Sequence, residues 1–260
     1  MKLLSRFSLL ALSAALLFSA CGGTDDNTAP DTGRITLNAT ATYGSLPLVM
    51  FDQNYDYEDG MQFQMQLFQT YLSDIELVYM ENGAEMTEPL LDVALAEFGD
   101  IYTIADAEAG IEVVKTDVPA RNYTALRFGV GVSPALNATV PPDYEVTHPL
   151  GQNYWEDANS YIFFKFEGNA DLDGSGGFQD KLTFHVGGDN NYNSIEFTGA
   201  IDIAPDGEAV LNLNFDMEKL LIRSNGDYVD FRQVRQAHSN TAPAAVFMGE
   251  NMPNALSLTR

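Results

Sequence analysis

The chain has 260 residues, of which 37 are acidic and 13 are lysine or arginine, and its formal net charge at pH 7 is −24. A surface this negative repels phosphate backbones and anionic headgroups, which excludes nucleic acid as a partner. With a single cysteine, the chain also has no internal disulfide to stabilise its fold.

The N-terminus is predicted to be a lipoprotein signal peptide over residues 1–20. Lys2 and Arg6 form a basic start, and an apolar run of Leu, Ala, Phe and Ser continues to Ala20. The run is too short to span a bilayer comfortably, and its small last residues stand directly before Cys21, as a lipoprotein signal peptidase requires. We therefore predict lipidation at Cys21. The alternative is an ordinary secretory signal that ends near a cysteine.

Lipidation predicts a location in the cell envelope of a Gram-negative bacterium, with the lipid anchor at Cys21 in the outer membrane, on its periplasmic or surface face. Loss of residues 1–20 removes two cations and no anion, so the net charge falls from −24 to −26. Residues 21–33 contain no large apolar side chain and are predicted to be a flexible acidic tether. Residues 34–260 are predicted to form one domain.

Three stretches alternate apolar and polar residues with the period of a half-buried strand: residues 34–43, 61–67 and 211–215. Their inward-facing residues are predicted to be Ile35, Leu37, Ala39, Ala41, Met61, Phe63, Met65, Leu67, Leu211, Leu213 and Phe215. Residues 125–132 and 160–168 are apolar on both faces and are predicted to be central strands.

Turn residues separate these strands, as at Asn82-Gly83 and Asp206-Gly207. Short strands with such punctuation predict an all-β fold, an antiparallel β-sandwich with long loops and a few short helices. The short helices are predicted near residues 217–221 and 228–236.

Signatures of common enzymes are missing from the sequence. It contains no glycine-rich phosphate loop, no Gly-x-Ser-x-Gly elbow and no His-Glu-x-x-His. We therefore predict that the protein is not an enzyme.

The scarce residues that ligate metals lie in the second half of the chain. These are the three histidines, His148, His185 and His238, and the single tryptophan, Trp155. Neutral imidazole suits copper, zinc, iron and nickel, so two or three of them make a site without thiolates. The alternative is that each histidine is an ordinary structural or surface residue.

The surrounding residues resemble the MbnP-like family of periplasmic copper proteins. Tyr154-Trp155, Tyr161, the run FKFEG at residues 164–168 and the run FHVG at residues 184–187 follow the order of that family's motifs. Upstream, TYLSDIELVY and NYTALRFGVGVSPALN, which ends at Asn137, are similar to two further strands of the family. The resemblance extends from about residue 35 to the C-terminus.

This resemblance implies an MbnP-like β-sandwich that binds copper, as Cu(I), without catalysis. Relatives bind copper through histidines and a kynurenine, which a partner dihaem peroxidase-like enzyme makes from tryptophan. The family pattern maps His185 and Trp155 onto such a site, and scarcity adds His148 and His238 as metal ligands. The sequence departs from the pattern where Glu-Asp-Ala follows Trp155 in place of x-Trp-Gln, and where Ala138 replaces a histidine.

A second candidate metal site is the run DLDGSGGFQD. Asp171, Asp173 and Ser175 occupy the first, third and fifth positions of a calcium loop, with Gly176 at the sixth. The twelfth position, which needs a bidentate glutamate, is Leu182. We therefore predict an ordinary hairpin turn and no tight calcium binding.

The alternative function is a surface interaction or glycan-binding β-sandwich lipoprotein without a functional metal site. Its sugar-stacking aromatic residues are then Tyr154, Trp155 and Tyr192.

Overall fold

The computed structural model describes residues 31–260. The predicted signal peptide, the lipidation site Cys21 and most of the predicted tether lie outside the described residues. Within the described part of the chain, no helix is both long enough and apolar enough to cross a membrane.

The described residues form strands with a few short helices. The strands are β1 (Thr32–Tyr43), β2 (Leu46–Pro47), β3 (Asn54–Asp56), β4 (Gln62–Glu81), β5 (Ala84–Glu97), β6 (Ile111–Pro119), β7 (Arg121–Val130), β8 (Tyr154–Trp155), β9 (Ser160–Asp171), β10 (Asp180–Gly187), β11 (Asn193–Ile203), β12 (Glu208–Asp216), β13 (Gln236–Ala237) and β14 (Leu256–Thr259). The α-helices are α1 (Ile104–Ala109), α2 (Pro134–Asn137), α3 (Met217–Leu221) and α4 (Pro243–Ala255).

The strands build two sheets. One has the order β14-β12-β1-β2, with β6 also paired to β1, and the other has the order β11-β7-β4-β9-β10-β13. In the second sheet β3 and β5 pair with β4, and β8 pairs with β9. Both sheets are mixed, because β1 runs parallel to β12 and β10 runs parallel to β13. The predicted all-β fold with few short helices is confirmed.

Side chains of the two sheets meet in one core. The ring of Phe68 on β4 lies 5.6 Å from that of Phe215 on β12, and Phe63 on β4 lies 5.1 Å from Tyr43 on β1. The predicted inward-facing residues of β1 and β12 are buried. Burial of such apolar side chains is the main source of stability in a fold without disulfides.

The predicted alternation in β4 holds only up to a bulge. Met61, Phe63 and Met65 are buried, but the register with β9 shifts between Met65 and Leu67. The extra residue reverses the alternation, so Phe68 is fully buried whereas Leu67 is only partly buried. Downstream, the predicted central strands are β7, between β11 and β4, and β9, between β4 and β10.

Of the two predicted short helices, one is present. α3 forms at Met217–Leu221, capped by the Asp216 carboxylate, which accepts a hydrogen bond from Glu218 N–H. The helix predicted over residues 228–236 is wrong, because Asp230 closes only a single turn there and β13 then begins at Gln236. The longest helix, α4, carries no amphipathic pattern clear enough to predict it.

The first strand begins two residues before residue 34, the predicted start of the domain. β1 begins at Thr32, and Gly33 is already buried in it. A Cβ atom on Gly33 would lie 2.4 Å from the carbonyl oxygen of Ala204, so only glycine fits this close approach.

Candidate metal centre

The centre lies on the outer face of the β9–β10 hairpin. Side chains alternate along both strands, so Phe166 and Phe184 face the core while Lys165, Glu167 and His185 lie on the opposite face. His185 stands directly opposite Lys165 in the antiparallel register. An apolar layer thus supports a row of polar side chains.

The short parallel strand β13 brings the second histidine to this face. Ala237 is paired with Phe184 and is buried like it. His185 follows Phe184 in β10, and His238 follows Ala237 directly after the end of β13, so both lie on the outer face and His238 stands beside His185. The centroids of their rings are 4.9 Å apart and the ring planes are inclined by 38°.

Trp155 approaches from a third element. It belongs to β8, where it pairs with Ser160 at the start of β9. Its ring centroid lies 6.4 Å from that of His238, with the two planes perpendicular. The structure therefore brings together three of the four predicted metal-site residues.

Asn153 connects the segment that carries Trp155 to the same hairpin. Its Oδ1 accepts a hydrogen bond from Lys165 Nζ at 2.6 Å, and its carbonyl accepts one from Ile162 N–H at 2.7 Å. Asn153 has a φ of 58°, a left-handed conformation that asparagine tolerates better than most residues. Burial lowers the pKa of Lys165, against the attraction of Glu167 and Glu97.

Glu167, which the sequence analysis quoted only as part of the run FKFEG, contacts His185 directly. Its Oε1 lies 2.7 Å from Nε2 of His185, and their side chains are 33% and 21% exposed. The hydrogen bond from His185 is the main cause that lowers the pKa of Glu167, against the opposing effect of burial. Only the strand register could have revealed this contact, because Glu167 stands diagonal to His185, opposite Thr183.

The electrostatics favour neutral imidazole at His238. Burial lowers the pKa of its ring, and the neighbouring His185 lowers it further, whereas Glu167 raises it. Neutral imidazole is the form that ligates metals. Since metal–nitrogen bonds are about 2 Å long, the centroids of two rings on one ion can be up to roughly 6 Å apart. The spacing between His185 and His238 fits this limit.

The third histidine lies in a different environment. The ring of His148 stacks on Tyr144 with centroids 4.4 Å apart, and its Nδ1 accepts a hydrogen bond from Leu150 N–H at 3.1 Å. Its aromatic and hydrogen-bond contacts do not include His185 or His238. Within residues 31–260, no group of three or more His, Cys, Asp or Glu side chains is arranged to hold a metal ion. The paired imidazoles are thus a partial ligand set.

The acidic run forms the loop between β9 and β10. Asp171 is buried, and its carboxylate accepts hydrogen bonds from the N–H groups of Asp173, Ser175 and Gly176. Burial raises the pKa of Asp171 most strongly, but these hydrogen bonds together lower it below its usual value. Ser175 N–H also donates to Asp173 Oδ1 at 3.1 Å. This is the hydrogen bonding of an Asx-type turn.

The three aromatic residues of the glycan-binding alternative are partly covered. The ring of Tyr154 packs against Tyr161, with centroids 5.0 Å apart. Tyr192 lies against the backbone of Gly129, where a Cβ atom would be only 2.0 Å from its hydroxyl oxygen. The rings of Tyr154 and Tyr192 thus pack against other parts of the protein.

Two larger cavities lie outside the histidine pair. One, of about 680 Å³, is lined by Val140, Pro141, Tyr154 and Glu156, the last two being the residues on either side of Trp155 in the chain. The other, of about 790 Å³, lies beside α3 and α4 and is lined mainly by polar and charged side chains, including Lys219, Arg223 and Glu250. Neither cavity contains His185 or His238 in its lining.

Comparison with known proteins supplies the relationship of the chain. A family model described as MbnP matches residues 32–242. The fold is similar to the solved structure of MbnP from Methylosinus trichosporium, with a TM-score of 0.53 and 14% sequence identity, over 87% of this chain and 98% of that chain. At this identity the structural match speaks for the fold alone. A comparison with curated proteins finds no match.

Proposed function

The chain belongs to the MbnP family, and we propose that it is a non-catalytic protein that binds one copper ion, as Cu(I), between His185 and His238. The observation that supports this function is the pair of imidazole rings at 4.9 Å, with Trp155 packed against the second ring. These residues come from three separate elements and converge on one exposed face of the sheet.

The chemistry of the ligands narrows the choice of metal. Residues 31–260 contain no cysteine, so a selective site for a soft or borderline metal there depends on imidazole. Two imidazoles are too few for a structural zinc site, which takes four protein ligands. Membership of the MbnP family favours copper among the remaining metals. The many surface carboxylates suit hard cations and do not provide selectivity for copper.

Trp155 requires a separate role. An indole ring offers an N–H donor and no lone pair for a metal, so the unmodified side chain shields the copper site without binding the ion. We propose that a dihaem peroxidase-like partner oxidises Trp155, as in relatives, and that the product supplies a further donor. Mass spectrometry of the peptide containing Trp155, from protein isolated from its native cells, tests this; an unmodified mass contradicts it.

The copper site is tested by a competition titration of Cu(I) against a chromogenic chelator. We expect one ion per native protein. Both His185→Ala and His238→Ala lose a direct ligand, so each should lose more affinity than the roughly 10- to 100-fold that removal of an outer-shell partner typically costs. His148→Ala is the matched control and should bind like the native protein. Equal affinities in all four proteins, or a stoichiometry far below one, would contradict the proposal.

The location in the envelope is also a proposal, and it rests on the N-terminal sequence. Replacement of Cys21 by Ser removes the lipid attachment site and should release the protein from membrane fractions, because acyl chains supply the anchoring hydrophobicity. Fractionation followed by immunoblotting measures this. Unchanged membrane association of Cys21→Ser would show that the anchor lies elsewhere.

A further inference from the structure

We infer that Glu167 is a positioning residue: its carboxylate holds His185 in the tautomer that carries the proton on Nε2, which leaves the Nδ1 lone pair for the metal. This inference rests on the proposed copper function and deepens it. It assigns to copper a particular nitrogen of His185, and it gives a role to a carboxylate that does not itself ligate the ion.

The geometry of the hairpin creates the contact. Glu167 stands opposite Thr183 and His185 stands opposite Lys165, so the two side chains are diagonal neighbours on one face of β9 and β10. Diagonal neighbours in an antiparallel pair are within reach of long side chains. The resulting distance of 2.7 Å between Oε1 and Nε2 is that of a strong hydrogen bond.

The tautomer follows from which group is able to donate. An ionised carboxylate only accepts hydrogen bonds, so the proton in this contact belongs to Nε2 of His185. The side chain of glutamate is ordinarily ionised at neutral pH. A neutral imidazole with its proton on Nε2 has its only free lone pair on Nδ1, which is then the nitrogen available to a metal.

Such an arrangement is known to matter for metal affinity. A carboxylate that accepts the N–H of a ligating histidine fixes the orientation of the ring and raises the basicity of the ligand. Removal of the carboxylate typically lowers metal affinity by about 10- to 100-fold. Glu167 lies on the same face of β9 as Lys165, and Lys165 donates a hydrogen bond to Asn153 in the segment that carries Trp155.

The tautomer can be measured without any metal, by NMR of protein with ¹⁵N-labelled histidine. We expect the His185 resonances of the native protein to show the Nε2–H tautomer almost alone. Glu167→Ala should give a mixture of both tautomers. Glu167→Gln keeps the size of the side chain and one acceptor oxygen, so its proportion of the Nε2–H tautomer should lie between those of the native protein and Glu167→Ala. A native protein that shows a mixture, or the Nδ1–H form, overturns the inference.

A Cu(I) titration of the same variants completes the test. Glu167→Ala should bind about 10- to 100-fold more weakly than the native protein, and Glu167→Gln should lose less. If Glu167→Ala does not fold, Glu167→Gln alone decides the result. Glu156→Gln is the matched control. It removes one negative charge beside Trp155, and Glu156 makes no hydrogen bond to either histidine, so this variant should bind Cu(I) like the native protein. Native affinity in both Glu167 variants overturns the inference.

The two proposals fail in different ways. If the native protein binds no copper, the proposed function fails, while NMR of the apo-protein still decides whether Glu167 sets the tautomer. If the native protein binds copper and His185→Ala does not, but Glu167→Ala binds normally, only the present inference fails.

Discussion

The β9–β10 hairpin carries a polar cluster towards each of its ends. In one cluster the backbone occupies the polar side-chain atoms with hydrogen bonds, and in the other most ring nitrogens have no such bond. At the loop end, the backbone N–H groups of Asp173, Ser175 and Gly176 donate hydrogen bonds to the carboxylate of Asp171. Towards the other end, His185 and His238 come from different strands and lie with their rings 4.9 Å apart. Among residues 31–260, one side-chain hydrogen bond reaches a ring nitrogen of this pair, and it joins Glu167 to His185.

The difference shows why residues that are contiguous in sequence make a poor metal site here. A short acidic loop can satisfy its own carboxylates with its own N–H groups, and it gains a stable turn by doing so. Side chains from separate strands have no such local partners, because each strand already uses its backbone groups in the sheet. Their lone pairs remain available to a ligand.

The sharpest test of this contrast is a pair of one-residue insertions. A glycine inserted between Ala237 and His238 moves the histidine one position along the chain and away from the outer face. We expect Cu(I) affinity to fall to the level of His238→Ala, because the histidine no longer reaches the ion. A glycine inserted after Gly177, in the acidic loop, should leave affinity unchanged. Similar affinities in the two insertion variants would remove the contrast between the clusters.

Replacement of Asp171 tests the opposite property, stability. Asp171→Ala removes a buried acceptor of three N–H groups and should lower the midpoint of urea unfolding more than His185→Ala, with Cu(I) affinity unaffected. Because the pKa of Asp171 lies below its usual 3.8 in the folded state, its stabilising effect is complete above pH 3.8 and is lost as the pH falls through the lowered pKa. The difference in midpoint between native protein and Asp171→Ala should therefore shrink in acid.

A smaller effect is expected from the link between the hairpin and Trp155. Asn153→Ala removes the acceptor of the Lys165 hydrogen bond and puts alanine at a φ of 58°. We expect the Trp155 segment to loosen, with a red shift of tryptophan fluorescence and a loss of copper affinity of a few-fold. The chain has a single tryptophan, so the emission reports this site alone. Asn153→Gly, which tolerates the backbone angle, separates the hydrogen bond from the strain.

The smallest effect is expected from calcium. We expect isothermal titration of the domain to give no binding tighter than the roughly millimolar range of weak extracellular modules. Asp173→Ala should change neither calcium binding nor unfolding appreciably, since Asp173 is exposed. A micromolar constant that disappears in Asp171→Ala would show that calcium displaces the N–H groups of the turn.

Alternation of apolar and polar residues predicted the all-β class of the fold and several of its strands. The alternation at residues 34–43 and 211–215 predicted most of β1, the middle of β12 and the buried faces of both strands, since one buried face imposes a period of two on the sequence. The bulge in β4 was not predictable, because the register depends on the partner strand. The prediction of a helix over residues 228–236 was wrong for a related reason, since β13, which begins at Gln236, is defined by its pairing with β10.

By itself, the sequence determined several of the strands, the scarcity of ligands and the membership of a family, because each depends on which residues are present and in what order. The tertiary structure decided which of these residues meet. It brought His238 beside His185 through two paired residues of a parallel strand, and it assigned His148 to Tyr144 and Leu150. It also placed Glu167 on Nε2 of His185. Contacts between strands depend on their register and neighbours, which sheet packing sets and no local pattern encodes.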